Sequence, residues 1–316
     1  MELKELGRGV YACLQEDKGL GYSNSGLVNA GGGLVVDTFW DLPHTREMIR
    51  LYSRVWDRPA ARVVNTHHNG DHCWGNQLFR GAEIIGHREC ARRFGLESSL
   101  IPRLKHLPPD APEALKRFAQ ALKDWDFAGI EVTPPTTLVD DQLALDLDGV
   151  EVRLYYVGPA HTAGDLIVHL PDHRVVFAGD VIFRLCTPIG WEGTYAKWCE
   201  ALDRIAALAP KIIVPGHGPL CGVEGAREMK AYLQYVRAES KRFFDAGLSE
   251  MDAARRIDLG PYAGWTEPER LAFNVHRAYR ELRGEPYDAA VDTNVIFRDA
   301  FQLREYWRER NPPRAS

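Results

Sequence analysis

Residues 65–76 read Asn-Thr-His-His-Asn-Gly-Asp-His-Cys-Trp-Gly-Asn, a dense set of side chains able to hold a metal ion. His67, Asp71 and His72 stand at the spacing of a turn that closes around metal ions, and Asn69 takes the place where the common form of that turn has another histidine. Neutral imidazoles and carboxylates are good donors for zinc-class ions, so metal binding with one altered position is the first expectation. Farther along, His161 follows Tyr156-Val157-Gly158-Pro159, Asp180 follows Phe177-Ala178-Gly179, and His217 follows Ile212-Ile213-Val214-Pro215. Each of these three is expected in a loop just beyond a strand. One such cluster alone is a weak signal; four at four strand ends point to a single metal centre.

Strands must deliver those ends. Short β-type runs at 10–14, 27–30 and 34–37 open the chain, and 62–65 feeds directly into the histidine block. A ligand-bearing loop after a strand is the expected layout for a site at the carboxyl edge of a sheet. Helical spacing marks 45–55, 88–96, 113–125 and 195–208. A proline-rich stretch around Pro102, Pro108, Pro109 and Pro112 reads as a lid over the site or as a surface excursion. A second strand-rich part covers 143–147, 150–157, 166–170 and 175–178, and helix formers dominate from Glu224 onward. Two strand-rich parts imply an α/β fold, an αββα sandwich of two mixed β-sheets with outer helices at 1–222, followed by a helical extension at 223–316.

The 316 residues, 45% apolar and 26% charged, are ordinary globular material. The net charge of -5 and the lack of a long basic block exclude a nucleic-acid backbone reader, which leaves a small-molecule substrate as the expected partner. No apolar run approaches the roughly 20 residues of a membrane span, and Met-Glu-Leu-Lys-Glu lacks the pattern of a secretory leader, so no membrane is expected and the cytoplasm is the expected location. The cysteines at 13, 73, 90, 186, 199 and 221 are scattered and read as free thiols.

In order and spacing, His67-x-Asn69-x-Asp71-His72, Gly158-Pro159-Ala160-His161-Thr162-Ala163-Gly164-Asp165, Phe177-Ala178-Gly179-Asp180 and Pro215-Gly216-His217-Gly218-Pro219 resemble the metal-binding motifs of the metallo-β-lactamase superfamily. The likeness runs over about residues 8–222. It implies a metal-dependent hydrolase with His67, Asn69 and His161 around one ion and Asp71, His72 and His217 around another. Asp180 would bridge the two, and a shared carboxylate offsets repulsion between cations about 3.5–4 Å apart. A carboxamide oxygen is a poorer zinc donor than an imidazole nitrogen, so one or two zinc ions are expected, held more firmly in the second site. Asp37 resembles a position that lies beneath the metals, and Asp37 and Thr162 are expected to support ligating imidazoles. His68 should point away from His67 if the strand continues, which gives it a supporting or packing role. Asp165 is expected to hold the His161 loop.

The resemblance implies hydrolysis of lactams, lactones, esters, thioesters, phosphodiesters or carbon–halogen bonds, with Asp71 orienting the nucleophile or passing a proton to the leaving group. Trp74, Phe183, Ile189, Trp191, Tyr195 and Trp265 are candidates for the pocket wall. His67, His161 and Asp180 are also a two-histidine, one-carboxylate set of the kind that holds Fe(II), and it resembles the persulfide dioxygenases of the same fold. A catalytically inert binding protein is a third reading. The extension is expected to cap the pocket, to pack on the sandwich, or to form a homodimer through Tyr232, Tyr235, Val236 and Phe243 or through Leu271, Val275 and Tyr279.

Overall fold

Alternation of apolar residues along short runs sorts the strands into two sheets. The computed structural model describes residues 1–96, 98, 106–111, 113–190 and 192–310. Pro102, Pro112 and Trp191 lie outside the described residues. One sheet runs in chain order: β1 (Glu2–Gly7), β2 (Val10–Leu14), β3 (Ser25–Val28), β4 (Leu34–Val36), β5 (Arg62–Val64), β6 (Glu83–His87) and β7 (Thr137–Val139). It is antiparallel up to β4 and parallel from there to β7. The other contains β8 (Gln142–Leu147), β9 (Val150–Tyr156), β10 (Leu166–Leu170), β11 (Val175–Phe183) and β12 (Ile212–His217), with β12 outside β11 and parallel to it and the remaining pairs antiparallel. Both sheets are therefore mixed.

The helices are α1 (Leu42–Tyr52), α2 (Gly70–Cys73), α3 (Arg88–Arg93), α4 (Glu113–Ala121), α5 (Tyr195–Ala207), α6 (Val223–Asp245), α7 (Glu250–Arg256), α8 (Leu271–Leu282) and α9 (Thr293–Arg310). Leu34, Val36 and Val64 point between the sheets and meet Leu154, Val168 and Phe177. Their neighbours Val35 and Val63 point outward to Met48 and Leu51 of α1. In the second sheet Val175 and Phe177 face inward, while Val176 and Ile213 face α5 and α6. This period of two gives each sheet one face in the central core and one under helices. Asp41 caps α1 by accepting from the His44 backbone N–H at 2.8 Å, and Pro43 suits its first turn.

Several expected boundaries move. Strand β11 continues to Phe183, so Asp180 sits inside an irregular strand rather than in a loop, with the register shifting at Gly179. His217 is likewise the last residue of β12. Helix α3 stops at Arg93 because Phe94 is extended and Gly95 turns left-handed at φ 84. Strands β6 and β7 and helix α7 are short elements that periodicity did not reveal.

The extension has no core of its own. Tyr232, Leu233, Val236, Leu271, Val275 and Tyr279 share one apolar cluster with Ile167, Val176 and Ile213 of the second sheet. The residues expected to pair two copies pack within this chain, Tyr235 partly buried against the same cluster with its hydroxyl donating to the Asp258 carbonyl.

Candidate metal centre

Four imidazoles arrive from the ends of three strands, His67 and His72 after β5, His161 after β9 and His217 at the end of β12, each tied down through Nδ1. His161 Nδ1 lies 2.8 Å from the Ile189 carbonyl, and His217 Nδ1 lies 3.1 Å from the Tyr22 carbonyl. A carbonyl only accepts, so both Nδ1 atoms carry the proton. His72 Nδ1 is 2.9 Å from Asp37 Oδ2, a carboxylate that also accepts from the Thr66 backbone N–H and hydroxyl at 2.7 Å each. Because the Thr66 hydroxyl donates to Asp37, it accepts from His67 Nδ1 at 3.0 Å. All four Nε2 atoms thus point into one interior cluster.

Carboxylates complete the cluster. Asp180 Oδ1 is 3.0 Å from His72 Nε2, and its Oδ2 is 3.4 Å from both His161 Nε2 and His217 Nε2 and 3.8 Å from His67 Nε2. Asp71 Oδ2 is 3.3 Å from His217 Nε2 and 3.9 Å from His72 Nε2. Two triads result, His67 with His161 and Asp180, and Asp71 with His72 and His217; within each, one ligand atom from every residue lies within 4.8 Å of the others. His67 Nε2 and Asp180 Oδ1 are buried without a hydrogen-bond partner, and the Nε2 atoms of His72 and His217 face one another at 3.4 Å. Buried polar atoms without partners and two imidazole nitrogens that face one another in a buried site fit bound cations.

The charge pattern agrees. Burial works against the Asp180 carboxylate, but His217, His72 and His67 outweigh it and hold the group well below its usual range. Burial also opposes charge on His72 and His217, yet Asp180 and Asp71 overcome it, raising His72 well above its ordinary value and His217 to about 10. Burial depresses His67, helped by His72, and depresses His161 against the pull of Asp180.

A family model described as the Metallo-beta-lactamase superfamily matches residues 19–217. The chain belongs to that superfamily. Among relatives, a linear primary-alkylsulfatase of Pseudomonas sp. (strain ATCC 19151) is 24% identical over 301 residues, which is 83% of this chain and 57% of that protein. This superfamily member therefore spans little more than half of that relative. A metallo-beta-lactamase family protein from Thermus thermophilus shares the fold at TM-score 0.63 and 22% identity, covering 89% of this chain and 95% of the other. A stereoselective inverting sec-alkylsulfatase from Pseudomonas sp. shares it at TM-score 0.65 and 17% identity, covering 93% and 51% respectively.

Around the superfamily motifs, the supports divide. Asp37 joins His72 to Thr66 and does so at φ 59, a left-handed conformation that a non-glycine residue holds at a cost of about 1–3 kcal/mol. Thr162 does not reach a ligand ring; its hydroxyl donates to Asp165 Oδ1 at 2.6 Å, and the Ile189 carbonyl takes the place expected for it at His161. Asp165 accepts from the backbone of Ala160 and Thr162 and holds the His161 loop. His68 is buried in the cleft wall, and burial pushes its imidazole down to about 3. Cys73 is buried, its thiol donating to the carbonyls of His68 and Asn69. Asn69 Oδ1 lies 2.9 Å from His161 Nε2.

Sequence reasoning missed the carbonyls of Tyr22 and Ile189, because a backbone group has no signature in residue type. It also missed Gly216, where a Cβ would stand 1.9 Å from Asp180 Oδ1. A glycine directly before the histidine in Pro-Gly-His-Gly-Pro was the available signal for a close approach.

The cluster floors a cleft of about 500 Å³. Leu20, Trp40, Phe183, Ile189, Val291 and Phe297 form its apolar walls, with Arg92, Arg93 and Arg270 among the polar groups. Of the expected aromatic wall, Phe183 and Ile189 are present, whereas Trp74 packs against Trp40 and Phe127, Tyr195 donates to the Asn274 carbonyl, and Trp265 packs on Tyr232. Val291 and Phe297 come from the extension, which supplies one side of the cleft.

Proposed function

We propose that the protein is a metal-dependent hydrolase that uses one or two zinc-class ions on a small organic ester or related bond. The observation that carries this reading is the convergence of four imidazole Nε2 atoms and two carboxylates on the floor of an apolar cleft. Such ions supply acidity that makes water a nucleophile near neutral pH, and positive charge against which the attacked bond is polarised. His67, Asn69, His161 and Asp180 would hold one ion and Asp71, His72, His217 and Asp180 the other. Asp71 is the carboxylate least enclosed, with a side chain 15% exposed against 5% for Asp180, which suits it to carry a proton between water and the leaving group.

The apolar walls favour a substrate with a hydrocarbon portion. Likeness to an alkylsulfatase over 83% of the chain puts sulfate esters first among the bonds to test, ahead of carboxylic esters, lactones, lactams, thioesters and halides. Completeness of the Asp71, His72 and His217 triad weighs against a single Fe(II) at His67, His161 and Asp180. The test is metal analysis of protein purified without added metal, followed by a panel of alkyl sulfates, esters and lactones. Zinc with turnover of one class is expected. Iron with oxygen uptake on a persulfide, or metal-free protein inert to the whole panel, would overturn the reading.

A further inference from the structure

Arg93, the last residue of α3, is a buried guanidinium in the cleft wall, its side chain 7% exposed. Its Nη1 donates to Glu89 Oε2 one turn back, and its Nε donates to Glu192 Oε1 at 2.9 Å. Glu192 uses its second oxygen for the His161 loop, accepting from the Ala163 backbone N–H at 2.6 Å, and its own N–H lies 3.3 Å from the His161 carbonyl. Helix α3 also touches that loop directly, since a Cβ on Gly164 would stand 2.3 Å from the Cys90 nitrogen. On its other side Arg93 Nη2 is 3.9 Å from Asp288 Oδ2, in the segment that joins α8 to α9.

We propose that Arg93 is a positioning residue for the metal ligand His161, acting through Glu192. A glutamate side chain has three rotatable bonds and, left alone, samples many orientations. With Oε1 fixed by a planar guanidinium, Oε2 is aimed at Ala163 N–H, two residues after the ligand. The main chain of 161–163 is then clamped from both sides, by Glu192 and by Asp165, and the His161 ring keeps its bond to the Ile189 carbonyl. The hydrogen bonds and ion pairs of Arg93 and Glu192 run to Glu89, Asp288, the main chain of His161 and Ala163, and each other, away from Asp71, His72 and His217, so the effect falls on one triad. The inference rests on the reading of His161 as a ligand, and its test has an arm that needs no metal.

Zn²⁺ competition titrations against a chromophoric chelator are run on the wild type, Glu192→Gln and Arg93→Lys. Glu192→Gln keeps shape and an acceptor oxygen while removing the ion pair, so it remains informative if Arg93→Lys fails to fold. Supporting groups around ligands are worth about 10–100-fold in metal affinity. Expected is a loss in that range for one ion, with the other within about twofold. In metal-free protein, ¹⁵N-edited spectra of the ring N–H groups are expected to show faster exchange at His161 in Glu192→Gln, with His72 and His217 unchanged. Equal weakening of both ions, or an unaltered His161 ring proton, overturns the proposal. Wild-type protein that binds no zinc removes the hydrolase reading alone, because the ring proton is read without metal.

Discussion

At the scale of residues, the contact between Asn69 and His161 would set the balance of the proposed metal centre. His161 Nδ1 donates to Ile189, which leaves Nε2 an acceptor 2.9 Å from Asn69 Oδ1. Two acceptors at that distance repel unless a cation lies between them or the amide turns to donate from Nδ2, and in the second case the His161 lone pair is withdrawn from metal. Unequal sites are therefore the expected outcome. His72→Ala is expected to lose more zinc than His67→Ala in direct metal analysis, and the reverse order would sink the argument. Asn69→His should tighten the weaker ion about 10-fold or more, read by the same titration. Protons would compete with a bound metal here as well. Burial opposes charge on His217, but Asp180 raises the group to about 10, above its ordinary value near 6.5. A raised histidine adds stability that is complete below about 6.5 and is lost as pH climbs toward 10. Metal-free protein should therefore melt at progressively lower temperature across that window, while the gain in melting temperature on adding Zn²⁺ grows. A metal-free melting temperature independent of pH would contradict the raised value.

At the scale of elements, strands aim the candidate ligands and glycine makes room for them. A Cβ at 216 would meet Asp180 Oδ1 at 1.9 Å and its backbone nitrogen at 2.8 Å. Neither can retreat, since both belong to β11 under a packed core. Gly216→Ala is expected to destabilise the protein by about 1–3 kcal/mol in denaturant unfolding and to lower bound metal; wild-type stability with full metal would show that β12 can shift. Much of this layout was legible in the sequence. The clusters at His67, His161, Asp180 and His217 each follow a β-branched or apolar run, and Asp37 ends one, so residue type and strand pattern agree there. Legibility failed where the determinant was not a side-chain pattern. Strand β7 has three residues, too few to display a period, and β6 carries Gly86 in its interior. Asp180 reads as a loop residue because its polarity and the preceding glycine suggest a chain turning out of the sheet, whereas β11 continues irregularly beside its parallel partner β12 as far as Phe183. Thr162 was matched to the wrong partner, since a hydroxyl beside a ligand and beside an aspartate reads the same in one dimension.

At the scale of the molecule, the boundary near 222 separates two kinds of sequence but not two cores. Tyr232, Leu233 and Val236 of α6 pack with Val176 and Ile213 of the second sheet, and Ile296, Ala300 and Leu303 of α9 belong to the same cluster. Among the described residues no helix is long and apolar enough to cross a membrane. Removing residues from 223 onward would expose the outer face of β10, β11 and β12 together with the buried side of α5, and each aliphatic side chain returned to water forfeits about 1.5–3 kcal/mol. Native domains are stable by only about 5–15 kcal/mol, so a few such residues are enough to unfold the remainder. A chain ending at 222 is expected to be insoluble or to bind a hydrophobic dye without cooperative melting. The same cut also takes away Val291 and Phe297, one side of the cleft, and Arg270 with them. The milder variant Phe297→Ala separates the two roles: Phe297 is only partly buried, so the fold should hold, while affinity for apolar substrates falls. A soluble, cooperatively folding 1–222 fragment with full metal content would instead make the extension a dispensable cover, and the cleft a property of the sandwich alone.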